Sequence, residues 1–392
     1  MAKKVANPAG PATLAVGNLI RRQREAMRMT VAQLAARVGV SRNTITNYEA
    51  RKTEPSASDL VRLAGALGCA VGDLLHDECE APPRFAFRAH AALRRDPSIA
   101  VAARKYLRAY DEIEEIMNCR LSSKLRKFTC NGERPLSDRE IEMAADTLRQ
   151  TSGLHDTGPE NITSVLEGLG VRTLFFDHKV KGLDGLSTIQ GDMVLVMLRN
   201  PQKVIERTIF SAAHELGHLV LHPHLFTSDG DGGEEDGQRY EREANKFAGN
   251  FLVPSDEIVR IWKEERVDRL SLFDALILLK RVFHVSFPCL YRRVTELKLH
   301  GPVDRAEFTR EIKRRLGITG PATMEELEPD PLKPEVLYRT NRFSRLVRSA
   351  FLQDMIGVAK VAEMFQVTVD DAQEITTDWL RPKHELVEGG PV

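Results

Sequence analysis

The chain has 392 residues, of which 42% are hydrophobic and 29% are charged, a composition that excludes a disordered or fibrous protein. This length exceeds what one ordinary core accommodates, so we expect two or three domains. No apolar run is long enough to cross a bilayer, and the start at Met1 lacks the apolar stretch of a signal peptide. We therefore expect a cytoplasmic protein without a membrane partner.

The five cysteines are scattered, odd in number and never spaced as C-x-x-C. This usage is typical of a reducing compartment, and it argues against a disulfide framework and against a zinc site built from thiolates. The cysteines are Cys69, Cys79, Cys119, Cys130 and Cys289.

The charge is unevenly distributed, although 56 basic and 56 acidic residues give the whole chain a formal net charge of zero. The segment through residue 76 contains eleven Lys and Arg but five Asp and Glu, so it carries 11 − 5 = +6. A basic segment on a neutral chain indicates an anionic partner for that segment alone.

Residues 14–76 have the pattern of five short helices. Thr30 and Gln33 form a capping box that opens the second helix, and Gly39 allows the turn that ends it. Ser41 caps a third helix that continues to about Glu49, and a fourth helix begins near residues 55–56. A short turn around residues 73–75 completes a small all-α unit.

The stretch from Gln33 to Glu49 resembles the helix-turn-helix of Cro/C1-type (XRE) repressors, which have a lambda-repressor-like fold. The resemblance implies that the third helix enters the major groove of double-stranded DNA. By it, the residues that meet base edges are Arg42, Asn43 and Thr46, and those that hold phosphates are Gln33, Asn47, Arg51 and Lys52. The alternative is a module that docks only protein partners.

Residues 77–136 are expected to form a linker and a long connecting helix. The linker is polar and contains Pro82 and Pro83. The helix, over residues 98–118, has an apolar seam at alternating spacings of four and three, formed by Ile99, Ala103, Tyr106, Tyr110, Ile113 and Met117. The seam has two interpretations, packing within the chain or dimerisation, and the second would give a homodimer.

The next domain, residues 137–300, begins with a capping box at Ser137 and Glu140, followed by a helix to about Gln150. Residues 171–176 and 193–198 are rich in strand-forming side chains, and residues 181–185 have the composition of a turn between them. The pattern predicts a small sheet before the next helix.

That next helix contains the sequence His-Glu-Leu-Gly-His over residues 214–218. His214 and His218 lie four residues apart, so both imidazoles project from one face and can share a zinc ion. Glu215 lies beside them, where a general base can take a proton from water. A third ligand should come from a second helix over residues 240–254, in which Glu241 can point inward.

The HELGH helix and the E-x-x-A-N-x-F-A-x-x-x-L-x-P stretch from Glu241 to Pro254 resemble the ImmA/IrrE metallopeptidases, over roughly residues 140–300. The resemblance implies a zincin-like domain that holds one Zn²⁺ per chain through His214, His218 and Glu241, with Glu215 as general base. Glu243 is the alternative third ligand. A strand near residues 193–198 would present a sheet edge to an extended substrate peptide.

Residues 301–392 are expected to form a helical C-terminal region. Its stretch from Val361 to Thr368 is faintly similar to a helix-turn-helix, and we interpret the region as a packing extension. The predicted fold class is therefore α+β, with an all-α helix-turn-helix domain, a zincin-like domain with a small sheet, and a helical extension.

The resemblances imply a DNA-binding transcriptional regulator whose zinc-dependent endopeptidase domain cleaves a protein substrate, either a helix-turn-helix repressor or the chain itself. One alternative is a transcription factor whose peptidase-like domain is a non-catalytic metal or ligand sensor. The intact Glu215 argues against it, since a sensor could lose that base and keep zinc. Another is a peptidase whose N-terminal module only recruits it to a protein.

Overall fold

The structure is a computed structural model, and it describes residues 16–27, 29–75, 84–85, 96, 98–130, 134–154, 161–177, 183–200, 204–226, 234–332 and 341–381. None of the helices within these ranges is long and apolar enough to cross a membrane. Of the five cysteines, Cys79 lies outside these ranges, and the other four carry free thiols.

The N-terminal unit consists of the four helices and the final turn that the sequence predicts. The helices are α1 (Val16–Ala26), α2 (Val31–Val38), α3 (Arg42–Glu49) and α4 (Ala57–Leu67), and a 3₁₀ turn follows at Gly72–Leu74. The Thr30 capping box and the Ser41 cap are both formed. Gly39 has a φ of 76°, which explains why glycine ends α2.

An ion pair fixes α3 against α1. The Arg24 guanidinium donates to the Glu49 carboxylate at 2.7 and 2.9 Å, and it also donates to the Met29 carbonyl oxygen at 2.8 Å. Because these groups are largely buried, the pair sets the orientation of α3 within the unit.

The connecting helix α5 (Ser98–Ile116) is buried within the chain itself. Ile99, Ala103, Tyr110 and Ile113 of the predicted seam are almost fully buried, and they join the core of the N-terminal unit to one face of the sheet. Arg104 donates a buried 2.6 Å hydrogen bond to Gln23 of α1. The packing interpretation of the seam is therefore correct, and the seam is not a free dimerisation surface.

Within the described residues the sheet has four strands, two more than the sequence predicts. The strands are β1 (Arg84–Phe85), β2 (Arg172–Phe176), β3 (Gly185–Gln190) and β4 (Met193–Arg199), in the order β1-β3-β4-β2. β4 pairs antiparallel with β3 and parallel with β2. Gly185, which the sequence predicts to lie in a turn, is the first residue of β3.

The predicted substrate edge on residues 193–198 is wrong, because β4 lies inside the sheet and its hydrogen-bonding groups are used on both sides. Alternate residues of β4 enter two cores: Val194, Val196 and Leu198 face the helices that follow, whereas Leu195 and Met197 face α5. A strand buried on both faces has a continuous apolar sequence. Such a sequence does not by itself show which strands pair with it on either side.

Helices cover the first of these two faces. They are α6 (Asp138–Thr151), α7 (Ile162–Gly168), α8 (Ile205–Leu221), α9 (Glu234–Leu252), α10 (Ser255–Glu264), α11 (Leu272–Phe283) and α12 (Phe287–Glu296). Helices α8 and α9 pack closely at Gly217, where a Cβ atom would lie 3.1 Å from Phe247 and 3.2 Å from the Ala244 backbone. This close approach determines the distance between the two helices that carry the predicted ligands.

The C-terminal region divides between the two cores instead of forming one extension. Helix α13 (Arg305–Leu316) adds Phe308 and Ile312 to the core around α8. Helices α14 (Arg342–Leu352), α15 (Val358–Phe365) and α16 (Val369–Leu380) pack on the core that contains α5.

Helices α15 and α16 repeat the local geometry of α2 and α3. Gln366 is left-handed with a φ of 57° where α2 ends with Gly39, and Thr368 caps α16 as Ser41 caps α3. The exposed residues of α16 include the carboxylates of Asp370, Asp371, Glu374 and Asp378. An acidic helix is unsuited to DNA phosphates, so the packing interpretation of this region agrees with its charge.

Candidate metal centre

Three potential metal ligands converge between α8 and α9. The Nε2 atoms of His214 and His218 are 3.1 Å apart, and each lies 3.4 Å from an oxygen of the Glu241 carboxylate. Both histidines are buried, and Glu241 is mostly buried. Two imidazole nitrogens and one carboxylate form the donor set that a catalytic zinc ion takes, so these residues fit the ion that the sequence predicts.

The other ring nitrogens of the two histidines have partners that fix their tautomers. His214 Nδ1 lies 3.1 Å from the Asn245 side-chain oxygen, which can only accept, so Nδ1 carries the proton. His218 Nδ1 lies 3.2 Å from His222 Nδ1, and His222 Nε2 lies 2.9 Å from the Glu243 carboxylate. A proton on His222 Nε2 directs the proton of His218 to its Nδ1, so both Nε2 lone pairs face Glu241.

The alternative ligand Glu243 and the neighbouring His222 lie behind His218, apart from the three side chains that converge. Glu243 accepts hydrogen bonds from His222 and from the Leu136 backbone N–H, the latter at 3.1 Å. His222 is fully buried and lies between His218 and Glu243. His222, held by Glu243, orients the His218 ring from its Nδ1 side, and neither residue belongs to the group of three.

The charge states suit a cation. Burial lowers the pKa of His218 to about 4, against the opposing effect of Glu241. Burial raises the pKa of the Glu241 carboxyl, but the adjacent His214 and His218 rings lower it by more, and the net pKa lies well below its usual value. At neutral pH the site thus offers a neutral His218 and an ionised Glu241, as metal binding requires.

Glu215 lies next to the three ligands and is held from the sheet. The Ser187 hydroxyl on β3 donates to the Glu215 carboxylate at 2.6 Å, and both residues are buried. A Cβ atom at Gly185 would lie 3.1 Å from the Glu215 side chain, so glycine leaves room for the carboxylate. Ser187 is not among the predicted site residues, because the strand that carries it was not predicted.

A cleft of about 580 Å³ opens onto His214 and Glu215. Its wall includes Asp184 and Arg207, which pair at 2.7 Å, and the cationic Lys246 and Arg292. On one side the buried Lys280 ammonium lies between the Glu206 and Glu328 carboxylates and joins residues 327–332 to α8 and α11. The cleft is large enough for several residues of an extended polypeptide.

The predicted DNA contacts lie at the start of α2, on α3 and in the turn after α3. Arg42, Asn43, Thr46, Arg51 and Lys52 are exposed, and Gln33 and Asn47 are half-buried. The Gln33 side-chain oxygen accepts the Thr30 N–H in the capping box, so only its amide nitrogen is suited to a phosphate. The Arg51 side chain donates to Asn18 of α1 at 3.2 Å.

Comparisons with known proteins agree with the two resemblances. The helix-turn-helix family matches residues 20–74, and the IrrE N-terminal-like domain family matches residues 166–295. The chain joins a helix-turn-helix domain to an IrrE-like domain.

A transcriptional regulator from Mycobacterium tuberculosis is among the solved structures that match. It is 22% identical, the match covers 48% of this chain and 62% of that chain, and the TM-score is 0.31. This chain therefore spans less than two thirds of the length of that protein. The comparison with curated proteins finds no match.

The IrrE-like domain family covers Ser187, all three converging ligands, Glu215, His222, Glu243 and Asn245. Asn245 belongs to the stretch from Glu241 to Pro254 that carries the resemblance, but its role as a partner of His214 was not foreseen. The sequence feature that could have indicated this role is the position of Asn245 one helical turn after Glu241, since that spacing directs both side chains toward α8.

Proposed function

We propose that the chain is a DNA-binding transcriptional regulator whose IrrE-like domain is a zinc-dependent endopeptidase. The observation that carries the proposal is the convergence of His214, His218 and Glu241 between α8 and α9, where a cleft reaches His214 and Glu215. Three protein ligands leave a coordination position free for water or substrate, which distinguishes a catalytic from a structural zinc site.

When bound, zinc supplies a Lewis acid that polarises a peptide carbonyl and lowers the pKa of water. The protein supplies the base: the Glu215 carboxylate takes a proton from the attacking water and can return it to the leaving amine. The Ser187 hydroxyl holds this carboxylate at one of its oxygens. His222, Glu243 and Asn245 keep the two imidazoles in the tautomer that binds metal.

The substrate is proposed to be an extended polypeptide. Strand β3 borders the cleft through Gly185, and within the described residues its side opposite β4 is paired only at Thr188 and Ile189, by the two-residue strand β1. An extended peptide can add to such an edge through backbone hydrogen bonds. This side of β3 replaces the β4 edge that the sequence predicts.

Double-stranded DNA is the proposed partner of the helix-turn-helix domain. The exposed residues of α3 are polar or basic, and the Arg24–Glu49 pair holds that helix to α1. The net charge of +6 through residue 76 supports the same partner. A homodimer would match paired half-sites, although its interface would have to lie away from the buried seam of α5.

We further propose that the polypeptide substrate is a helix-turn-helix repressor or this chain itself. It can be tested by incubating the zinc-loaded protein with purified repressors encoded beside its gene, and identifying fragments by mass spectrometry. We expect fragments that disappear in Glu215→Gln while the zinc content stays at one ion per chain. Full zinc occupancy with no cleavage of any candidate by the wild type would favour the sensor.

A further inference from the structure

The linker between the helix-turn-helix domain and α5 places a strand on the sheet. Between residues 76 and 95 the structure describes Arg84 and Phe85, which form β1. They pair antiparallel with β3, with Arg84 opposite Ile189 and Phe85 opposite Thr188. The linker thus contacts the IrrE-like domain through backbone pairing.

The paired residues belong to the strand that borders the candidate base. Ser187, next to Thr188 in the chain, donates to Glu215 at 2.6 Å, and Gly185 packs against the Glu215 side chain. Gly185 and Ile189 are four residues apart, or about 13 Å along a strand. Because β4 occupies the other side of β3, β1 lies on the same edge that an extended substrate would need.

We propose that the linker strand Arg84–Phe85 is a tethered occupant of the substrate edge, which a polypeptide substrate must displace. The inference rests on the proposed function, since it takes β3 as the edge that binds substrate. A tethered strand competes at an effective concentration of order millimolar, although its own pairing spans only two residues. The pairing is therefore easily exchanged, and its effect is to lower the apparent affinity for substrate.

Backbone substitution provides the first test. Adjacent residues of an antiparallel strand direct their N–H groups to opposite sides, so Arg84→Pro with Phe85→Pro removes whichever N–H faces β3. The matched control, Arg84→Ala with Phe85→Ala, keeps both N–H groups. The probe is a fluorescein-labelled peptide with the sequence of residues 81–90, and its binding is measured by anisotropy in zinc-loaded Glu215→Gln protein.

If the edge is free in about one tenth of the wild-type molecules, the proline variant should bind the peptide about tenfold more tightly. The alanine control should bind within about twofold of the Glu215→Gln parent. Equal affinity of the proline variant and the parent would overturn the proposal. Circular dichroism of each variant checks that the fold is retained.

A reversible cross-link provides the second test. Arg84 and Ile189 are directly opposite, a separation at which a disulfide can form, so Arg84→Cys with Ile189→Cys should lock the linker on β3 when oxidised. The oxidised protein should lose peptide binding and regain it on reduction, whereas Ile189→Cys alone should bind equally in both states. Undiminished binding in the fully cross-linked protein would contradict the proposal.

These binding measurements separate the two proposals, because they do not require hydrolysis. If the proline variant binds more tightly and no polypeptide is cleaved by the zinc-loaded wild type, the linker strand is supported and the endopeptidase fails. If polypeptides are cleaved but neither linker variant changes peptide affinity or KM, the endopeptidase is supported and the tethered strand fails.

Discussion

Replacing each of two glutamates by glutamine distinguishes a metal ligand from a residue that orients one. Glu241 lies 3.4 Å from both ligand nitrogens, whereas Glu243 lies 2.9 Å from His222 and accepts the Leu136 N–H. Glu241→Gln should abolish stoichiometric zinc binding, because two imidazoles alone hold the ion poorly. Glu243→Gln should weaken it by about ten- to hundredfold, or about 1.4 to 2.8 kcal/mol, since His218 loses its support.

Glu243→Gln should also destabilise the metal-free protein. A glutamine offers one acceptor oxygen, so either His222 or the Leu136 N–H loses its partner on Glu243, at a cost of about 1 to 3 kcal/mol in the free energy of unfolding. Zinc affinity is measured by competition with a chromogenic chelator, and stability is measured by urea denaturation of the apo-protein. Glu264→Gln, at an exposed position on α10, is the matched control and should change neither quantity.

The result that would refute this reasoning is the reverse order of the two glutamates. Loss of all zinc from Glu243→Gln, with near-normal affinity in Glu241→Gln, would make Glu243 the ligand. The chain from Glu243 through His222 to His218 would then have been misinterpreted.

Three further predictions concern DNA binding, pH and stability. In DNA titrations, Lys52→Ala should weaken binding to all sequences and reduce the slope of log affinity against log salt by about one. Arg42→Ala should instead cost about 1 to 3 kcal/mol of discrimination between bases. Equal losses on every sequence for both variants would mean that α3 is not the helix that reads the bases. Burial raises the pKa of Glu328 to about 7, against the opposing effect of Lys280. The folded state therefore holds a proton that the unfolded state releases near pH 4.5, and the free energy of unfolding should fall by about 3 kcal/mol between pH 4.5 and 7. Glu328→Gln should flatten this decrease in urea denaturation, and an unchanged slope would exclude Glu328 as its source. Arg104→Ala removes the buried hydrogen bond with Gln23 and should lower the free energy of unfolding by about 1 to 3 kcal/mol. An unchanged free energy in urea denaturation would mean that α5 does not stabilise the helix-turn-helix domain.

The sequence was informative where one local rule determines the structure. A four-residue spacing places His214 and His218 on one helix face, and capping boxes at Thr30 and Ser137 locate helix starts to the residue. Glu241 could be chosen from the apolar stripe of its own helix. The structure brings it to the two histidines because α8 and α9 approach closely at Gly217.

The rest depended on contacts between distant segments, which have no local signal. Ser187 meets Glu215 only because β3 crosses beneath α8, and β3 was missed because glycines at 182 and 185 gave its start the composition of a turn. The burial of α5 depends on the N-terminal unit and on residues 341–381, so its seam could equally have indicated a dimer. The position of β3 between β1 and β4 depends on strand order, which no strand encodes by itself.

Anomalous diffraction from a zinc-soaked crystal tests the central claim most directly, because it locates the ion and its ligands without an assay of activity. We predict one zinc ion per chain, with His214 Nε2, His218 Nε2 and a Glu241 oxygen each about 2.0 to 2.2 Å from it and a fourth position open toward Glu215 and the cleft. A closed shell completed by His222, Glu243 or a cysteine would contradict it, since a zinc ion without an open position is structural and the IrrE-like domain would then be a sensor.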